Sequence, residues 1–371
     1  MSSIIDHFSD LADPRTKEHK KEHKLIDIIF ITVAGVICGA EDWYDIQEYG
    51  QYKEDWLKTV LELPGGIPSH DTFNRLFSLI DPVALQQCFI SWVQSMAKIS
   101  EGQIVSIDGK RLCNSGEQGK KAIIHMVSAW SNANNMVLGQ LKVNDKSNEI
   151  TAIPALLDLL MVKGCWITID AMGCQTEIAN KIKQKEAEYI LAVKDNQKHL
   201  HDDIQEAFKQ GKVDGSDIQT HLDHGRIEKR TCRIITDMDW VCSKEDWQGL
   251  KTIIEITSER TVKATGITET QTRHYISSVV STAQKFNEAI RAHWGIENKL
   301  HWVLDVVFNE DNSTKRAGTA AENFSFISKM AVNLLYQFDY KKGTRKVSMK
   351  TKRKRAGWDN DFLVAILAKA G

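Results

Sequence analysis

The sequence predicts an α/β protein with an all-helical start, a mixed-sheet core and a β-rich segment inserted late in that core. Residues before about Lys98 show helical apolar spacing broken at Pro64-Gly65-Gly66, whereas from Gln103 short strand-like runs alternate with helical ones. Residues 198–285 then hold strand-like pieces between polar, Thr-rich turns. The expected division is 1–98, helical; 99–197 with 286–340, the core; 198–285, the insertion; and 341–371, a basic carboxy-terminal segment.

At 371 residues the chain can bury a sizeable core and divide into two or three domains. Hydrophobic residues make up 42% and charged residues 26%, and a formal net charge of -1 announces no polyanion partner in bulk. Charge is unevenly placed, since nine Lys and Arg stand between Lys341 and Arg355 without an acid. Such a run suits a phosphate backbone or a solvated tail. Seven cysteines, at 38, 88, 113, 165, 174, 232 and 242, form no CxxC pair, which predicts free thiols, a reducing cytoplasmic setting and no structural zinc. The apolar run from Leu25 to Ala40 is too short to span a bilayer and contains Asp27, so a buried helix is expected.

In the opening domain Ser69, His70 and Asp71 offer N-cap oxygens to a helix starting near Thr72, and another helix runs from Pro82 to about Met96. Short helices around a tight turn suit a DNA-reading module, with Asn74 and Arg75 exposed, as well as a plain packing domain. In the core, Ile104 to Ile107 is an apolar strand ending in Asp108-Gly109-Lys110. Ala122 to Trp130 and Met136 to Val143 are strand-like, and Ile150 to Met161 reads as a helix with Pro154 in its first turn. Cys165 to Ile169 is a strand ending in Asp170-Ala171-Met172-Gly173, Gln175 to Lys185 a helix, and Tyr189 to Val193 a strand ending in Lys194-Asp195-Asn196-Gln197.

Three strands, helix, strand, helix, strand, with acids closing the first and fourth strands, is the ribonuclease H-like arrangement. Those two strands are neighbours in it, so Asp108 and Asp170 are expected side by side. A final helix should carry the third acid, and here it waits until after 198–285, an insertion tolerable where the loop ends stay close. Ile290 to Asp311 reads as that helix, with Ile296, Leu300, Val303 and Val307 in one apolar stripe. Glu297 lies beside the stripe, with His293 and His301 one turn to either side. A carboxylate at a core edge is hydrogen-bonded, paired or bound to a metal; the alternative is a solvated Glu on an amphipathic helix.

SIDGK at 106–110, ITIDAMGCQ at 167–175, LAVKDNQ at 191–197 and HWGIENKLHWVLDVVFNED at 293–311 together resemble the DDE transposases of bacterial insertion sequences, and more narrowly their H-repeat-associated group. HFSDLADPR at 7–15 and GIPSHDTFNRLF at 66–77 extend the resemblance over nearly the whole chain. It implies a DNA transposase in which Asp108, Asp170 and Glu297 bind Mg²⁺ or Mn²⁺, with Asp108 bridging two ions and the other acids completing one each. Hard ions of this kind take carboxylate oxygens, and a pair of them stabilises both the entering and the leaving oxygen of an in-line displacement. Water would free a 3′-hydroxyl at the element's end, and that hydroxyl would attack a target strand. The implied partner is double-stranded DNA, both element ends and target, with no membrane and with two ends paired by at least a homodimer. No interface signature is legible. The implied location is the bacterial cytoplasm, on the nucleoid when DNA is bound.

Related transposases carry Tyr, Arg, Glu and Lys on the final helix. Here Ile290, His293 and Leu304 stand at the Tyr, Arg and Lys positions, and of the four only Glu297 is kept. Phosphate contact then falls to nearby substitutes: Arg291, His293, Lys299 and His301 on the helix, with Lys110 and Lys194 just past strand ends. Trp294 and Trp302 could stack on an extruded base, or simply fill the core. Other readings stay open. His293, Glu297 and His301 could form a zinc site, although their spacing is not H-E-x-x-H and both aspartates would lose their role. A DNA-binding remnant without activity, or a nuclease of the same fold without strand transfer, would carry the same acids.

Overall fold

The structure is a computed structural model that describes residues 2–16, 21–112, 124–143, 149–223 and 225–370, so Cys113 and the start of the strand expected at 122 lie outside it. Helices α1 (Ser2–Phe8), α2 (Leu25–Cys38), α3 (Trp43–Tyr52), α4 (Glu54–Leu57), α5 (His70–Leu79) and α6 (Pro82–Met96) open the chain. Their starts obey capping chemistry: Asp42 and Asp45 form a reciprocal capping box, Ser69 accepts from Thr72 N, and Asp81 caps a helix with proline in its first turn. Then come β1 (Ile104–Leu112), β2 (Ile124–Ser131), β3 (Met136–Val143), α7 (Glu149–Leu159), β4 (Trp166–Ile169), α8 (Thr176–Gln184), β5 (Glu188–Val193) and α9 (Lys198–Gln210). Strands β6 (Gly215–Asp223), β7 (Arg226–Ile235), β8 (Thr252–Val262) and β9 (Thr268–Ser277) lead to α10 (Ala283–Gly295), a π-helical turn at Ile296–His301 and α11 (Trp302–Val306). The chain closes with α12 (Ala320–Gln337), the two-residue strands β10 (Lys341–Lys342) and β11 (Arg345–Lys346), α13 (Met349–Trp358) and α14 (Asn360–Leu367). Among the described residues no single helix is long and apolar enough to cross a membrane.

The chain divides into two compact units, Met1–Lys98 with Gly109–Asp145 and Glu297–Gly371, and Ile99–Asp108 with Lys146–Ile296. In the first, α12 is the central element, buried over most of its length and packed on α2, α5, α6, α13, α14 and β3. Its polar side chains replace missing backbone partners. Asn333 both accepts from Val137 N and donates to Val137 O, standing where another strand would pair with β3. Asn323 donates to Phe77 O and Ile80 O, orphan carbonyls at the end of α5. Helix α2 is apolar all round and is buried accordingly from Asp27 to Ile37. Asp27 is tolerated inside because Leu63 N donates to it at 3.1 Å.

The basic carboxy-terminal run is folded into this unit. Ser348 caps α13, and Lys352 and Arg353 are buried. Lys352 Nζ donates to Leu335 O at 2.8 Å and to Phe338 O at the end of α12. Arg353 donates from Nε and Nη2 to Val36 O near the end of α2, and from Nη1 to Val307 O. Both cations therefore sit at helix carboxy-termini, where free carbonyls and the helix dipole favour them. Lys341, Arg345, Lys346, Lys350 and Lys354 stay exposed.

In the second unit β1, β4 and β5 are parallel neighbours, and β9, β8, β7 and β6 continue the sheet antiparallel. Residues 198–285 thus comprise α9 and four strands that extend the sheet through the β5–β9 pairing. Strand β6, GSDIQTHLD, is not among the strands expected; its side chains are mostly polar and it has no apolar run to mark it. Helix α10 lies on the sheet, with Phe286, Ala289 and Ile290 packed against Cys232, Ile234, Ile254, Ile256 and Tyr275.

The single helix expected over 290–311 is three pieces, α10, the π-helical turn and α11. A π turn holds an extra residue, so the apolar stripe shifts register beyond it. Ile296, Leu300 and Val303 are buried as expected, but Leu304 rather than Val307 completes the row.

Candidate active site

Strands β1 and β4 pair with Ser106 beside Thr168 and Ile107 beside Ile169. The next residue of each is Asp108 and Asp170, so the two carboxylates leave the paired strands at the same level. Strand β4 ends there, whereas β1 runs on to Leu112 with β2 along its other edge, so Asp108 is not the end of its strand as expected. Asp170 caps a one-turn 3₁₀ helix at Ala171–Gly173, its Oδ1 accepting from Met172 N at 3.2 Å and Gly173 N at 3.4 Å. Two side chains beyond β5 hold this turn: Asn196 Nδ2 donates to Ala171 O at 2.7 Å and Gln197 Nε2 to Cys174 O at 2.9 Å. Gly173 has no room for a side chain, because a Cβ there would lie 2.3 Å from Ile169 Cγ2.

A chain of hydroxyls leads from this point to α10. Thr168 Oγ1 donates to Ser106 Oγ at 3.1 Å and so accepts from His293 Nδ1 at 3.0 Å, which fixes the proton of the neutral ring on Nδ1. Burial, with a smaller push from Arg273, brings the imidazole down to about 4 against the opposing pull of Asp170 and of a hydrogen bond to Thr168. His293 is thus neutral near pH 7 and brings no charge to a phosphate. Arg273 stacks over Trp294 at 4.8 Å, and Arg291 Nη1 lies 3.9 Å from Glu228 Oε2. Lys194 is exposed at the head of the Asp195–Gln197 turn.

In the first unit, Glu297 is half-buried on the π-helical turn, and such turns recur at functional positions. Lys299 is exposed and reaches Asn135 Oδ1 at 2.9 Å, while its carbonyl accepts from Tyr336 OH; His301 is half-buried. Lys110 is held by three carboxylates, Asp305 at 2.6 Å, Glu310 at 2.9 Å and Asp311 at 3.1 Å. Burial pushes its ammonium down, but Glu310 and Asp305 outweigh burial and hold it above the usual lysine range.

The structure therefore brings Asp108, Asp170 and His293 to one end of the β1–β4 pair, with Arg273, Arg291 and Trp294 around the last turns of α10. The sequence reading did not assign roles to Ser106, Thr168, Asn196, Gln197 or Arg273. Asn196 and Gln197 stood in the LAVKDNQ string, and Thr168 lies two residues before Asp170 on the strand, which were the available signals. Two aspartates on paired strands fit a hard divalent ion in donor type. Among the described residues no three His, Cys, Asp or Glu side chains gather so as to hold a metal.

The described residues form a large mixed sheet with helices, and two aspartates leave adjacent parallel strands of it at the same level. The transposase DDE domain model matches residues 98–334, and the DDE_Tnp_1-associated model matches residues 5–93. The chain belongs to the DDE transposase family, in its H-repeat-associated group. It is 45% identical to the protein named "Putative transposase YncI" of Escherichia coli O157:H7, over 99% of this chain and 95% of that one. It is 39% identical to "H repeat-associated putative transposase YhhI" of Escherichia coli K12, over 100% of this chain and 99% of the relative. A short relative, "Inactive transposase YbfQ" of Escherichia coli K12, is 40% identical over 21% of this chain.

Proposed function

We propose that this chain is an active, metal-dependent DNA transposase that hydrolyses a phosphodiester bond at each element end and joins that end to a target strand, the freed 3′-hydroxyl attacking a target phosphodiester and expelling the target's own 3′-hydroxyl. The parallel register of β1 and β4, which makes Asp108 and Asp170 neighbours, is the observation that carries the reading. The parallel run β1-β4-β5, the antiparallel hairpin β2–β3 and the helix leading to Glu297 support a ribonuclease H-like core. In this reading Asp108, Asp170 and Glu297 hold Mg²⁺ or Mn²⁺. Bound ions of this kind activate water and neutralise charge on the leaving oxygen.

The chain's own residues prepare the site. The amides of Met172 and Gly173 fix the rotamer of Asp170, and Asn196 and Gln197 keep its turn from drifting. A displacement of one ångström in such a carboxylate can cost about a hundredfold in rate. His293, neutral and fastened to Thr168, adds no cation beside Asp170 to compete with a metal ion. Double-stranded DNA is the substrate and target, and two copies pair the two ends.

The test is cleavage of a labelled duplex carrying the DNA that flanks the reading frame, with Mg²⁺ or Mn²⁺, by the native chain and by Asp170→Ala. Metal-dependent cutting followed by joined products, lost by at least about a thousandfold in the variant, is expected. Cutting without joining would make the chain a nuclease. Tight binding without cutting would make it a DNA-binding remnant.

A further inference from the structure

The face of β7, β8 and β9 beneath α10 changes character along its length. Register aligns Ile234, Ile254 and Tyr275 in one row, Cys232, Ile256 and Arg273 in the next, and Arg230, Ser258 and Gln271 in the third. The first row and two of the three residues of the second belong to the apolar cluster under Phe286 and Ile290; beyond it stand Arg273 and Arg230, followed by a row of mixed charge, Glu228, Arg260 and Glu269.

Arg230 is only 4% exposed, yet its guanidinium makes no hydrogen bond or ion pair with any described residue. Burial disfavours its charge and the neighbouring Arg291 disfavours it further, against the smaller opposing pull of Tyr275 and Glu228. Arg291 Nη1 is itself buried without an acceptor, Glu228 at 3.9 Å being too distant to bond it. Arg273 donates to Gln271 Oε1 at 3.0 Å and covers one face of Trp294, which is 37% exposed. Folded chains rarely bury a guanidinium without an acceptor, and Glu228 is the carboxylate acting on both Arg230 and Arg291, so cations outnumber the anion that faces them.

We propose that Arg230, Arg273 and Arg291, with Trp294, form a binding site for the phosphodiester backbone of a nucleic-acid strand, one of whose bases stacks on Trp294. The proposal rests on the transposase reading and adds the strand-binding site to it. A guanidinium fork matches two non-bridging phosphate oxygens, and several forks in a row match successive phosphates better than a single protein carboxylate. An aromatic ring beside the forks suits a base. The location fits as well: Arg273 and Asp170 both act electrostatically on His293, so the cluster is near that aspartate.

The experiment measures binding of a short fluorescein-labelled duplex, and of its single strand, to the full chain by anisotropy over a range of salt in EDTA, so that no cleavage intervenes. In the double variant Arg273→Ala/Arg291→Ala the slope of log affinity against log salt should fall by about 1.4 to 1.8, since each phosphate contact contributes about 0.7–0.9. Arg273→Lys/Arg291→Lys should keep the slope while weakening affinity several-fold, because charge stays and the fork is lost. Quenching of indole fluorescence by DNA should shrink in Trp294→Phe. Thermal melting checks that each variant is folded; both arginines are partly exposed, unlike Arg230. Native binding with an unchanged slope in the double alanine variant overturns this site and leaves the transposase reading standing. An unchanged slope accompanied by altered sedimentation would assign the cluster to a carboxylate of a second copy and also overturns it. Failure of the native chain to bind either DNA overturns the transposase reading and this site together.

Discussion

His293 and Asn196 show how single side chains define the environment of Asp170. The imidazole is held at about 4, below the ordinary 6.5, so the folded chain binds fewer protons than the unfolded one between these values. Its contribution to stability is complete above the ordinary value and is lost as pH falls through 6.5 toward 4, with a slope approaching about 1.4 kcal/mol per pH unit. Urea unfolding at pH 7 and pH 5 should therefore show a smaller pH-dependent loss in His293→Gln than in the native chain, by about 1–2 kcal/mol. Equal losses would mean that the ring is not kept neutral. Asn196→Ala removes one bond to the Asp170 turn, for about 1 kcal/mol of stability, and should lower the cleavage rate about tenfold or more without weakening DNA binding. A parallel fall in binding would show that Asn196 contacts DNA instead.

Among the elements, the helices of the first unit show what a charge run conceals. In sequence the basic segment reads as an unbroken cationic stretch, and nothing in its spacing reveals that Lys352 and Arg353 end against carbonyls of α12 and α2. Arg353→Ala leaves Val36 O and Val307 O without this donor and should cost about 2–3 kcal/mol in unfolding free energy, with DNA affinity nearly unchanged. A variant of native stability but weaker binding would return Arg353 to the DNA-facing group. Local signals were legible where chemistry is local: Ser69 caps α5, Pro82 opens α6 and the apolar α2 is buried as its composition requires. Features that depend on distant partners were not. Strand β6 is defined by β7 rather than by its own side chains, and the π-helical turn breaks a helix whose apolar stripe looked continuous. The neighbouring aspartates followed from strand order alone, whereas the hydroxyls linking Thr168 to His293 join positions 125 residues apart and left no local mark.

At the scale of the whole molecule, both units are assembled from separated stretches of chain, and the first needs residues 297–371 as well as the amino-terminal helices. A fragment of residues 1–296 keeps every segment of the second unit and lacks α12. Hydrogen exchange on it should show protected amides in β5, β8 and β9 but little protection in α2, which in the full chain packs on α12. Protection of α2 in the fragment would show that the amino-terminal helices fold by themselves. The same dependence sets a schedule during translation. Leu25 is made about 295 residues before Ala320, the first residue of α12, roughly 15–60 s at ordinary elongation rates. Throughout that interval an apolar helix emerges without its lasting cover, so the nascent chain is a natural client for chaperones.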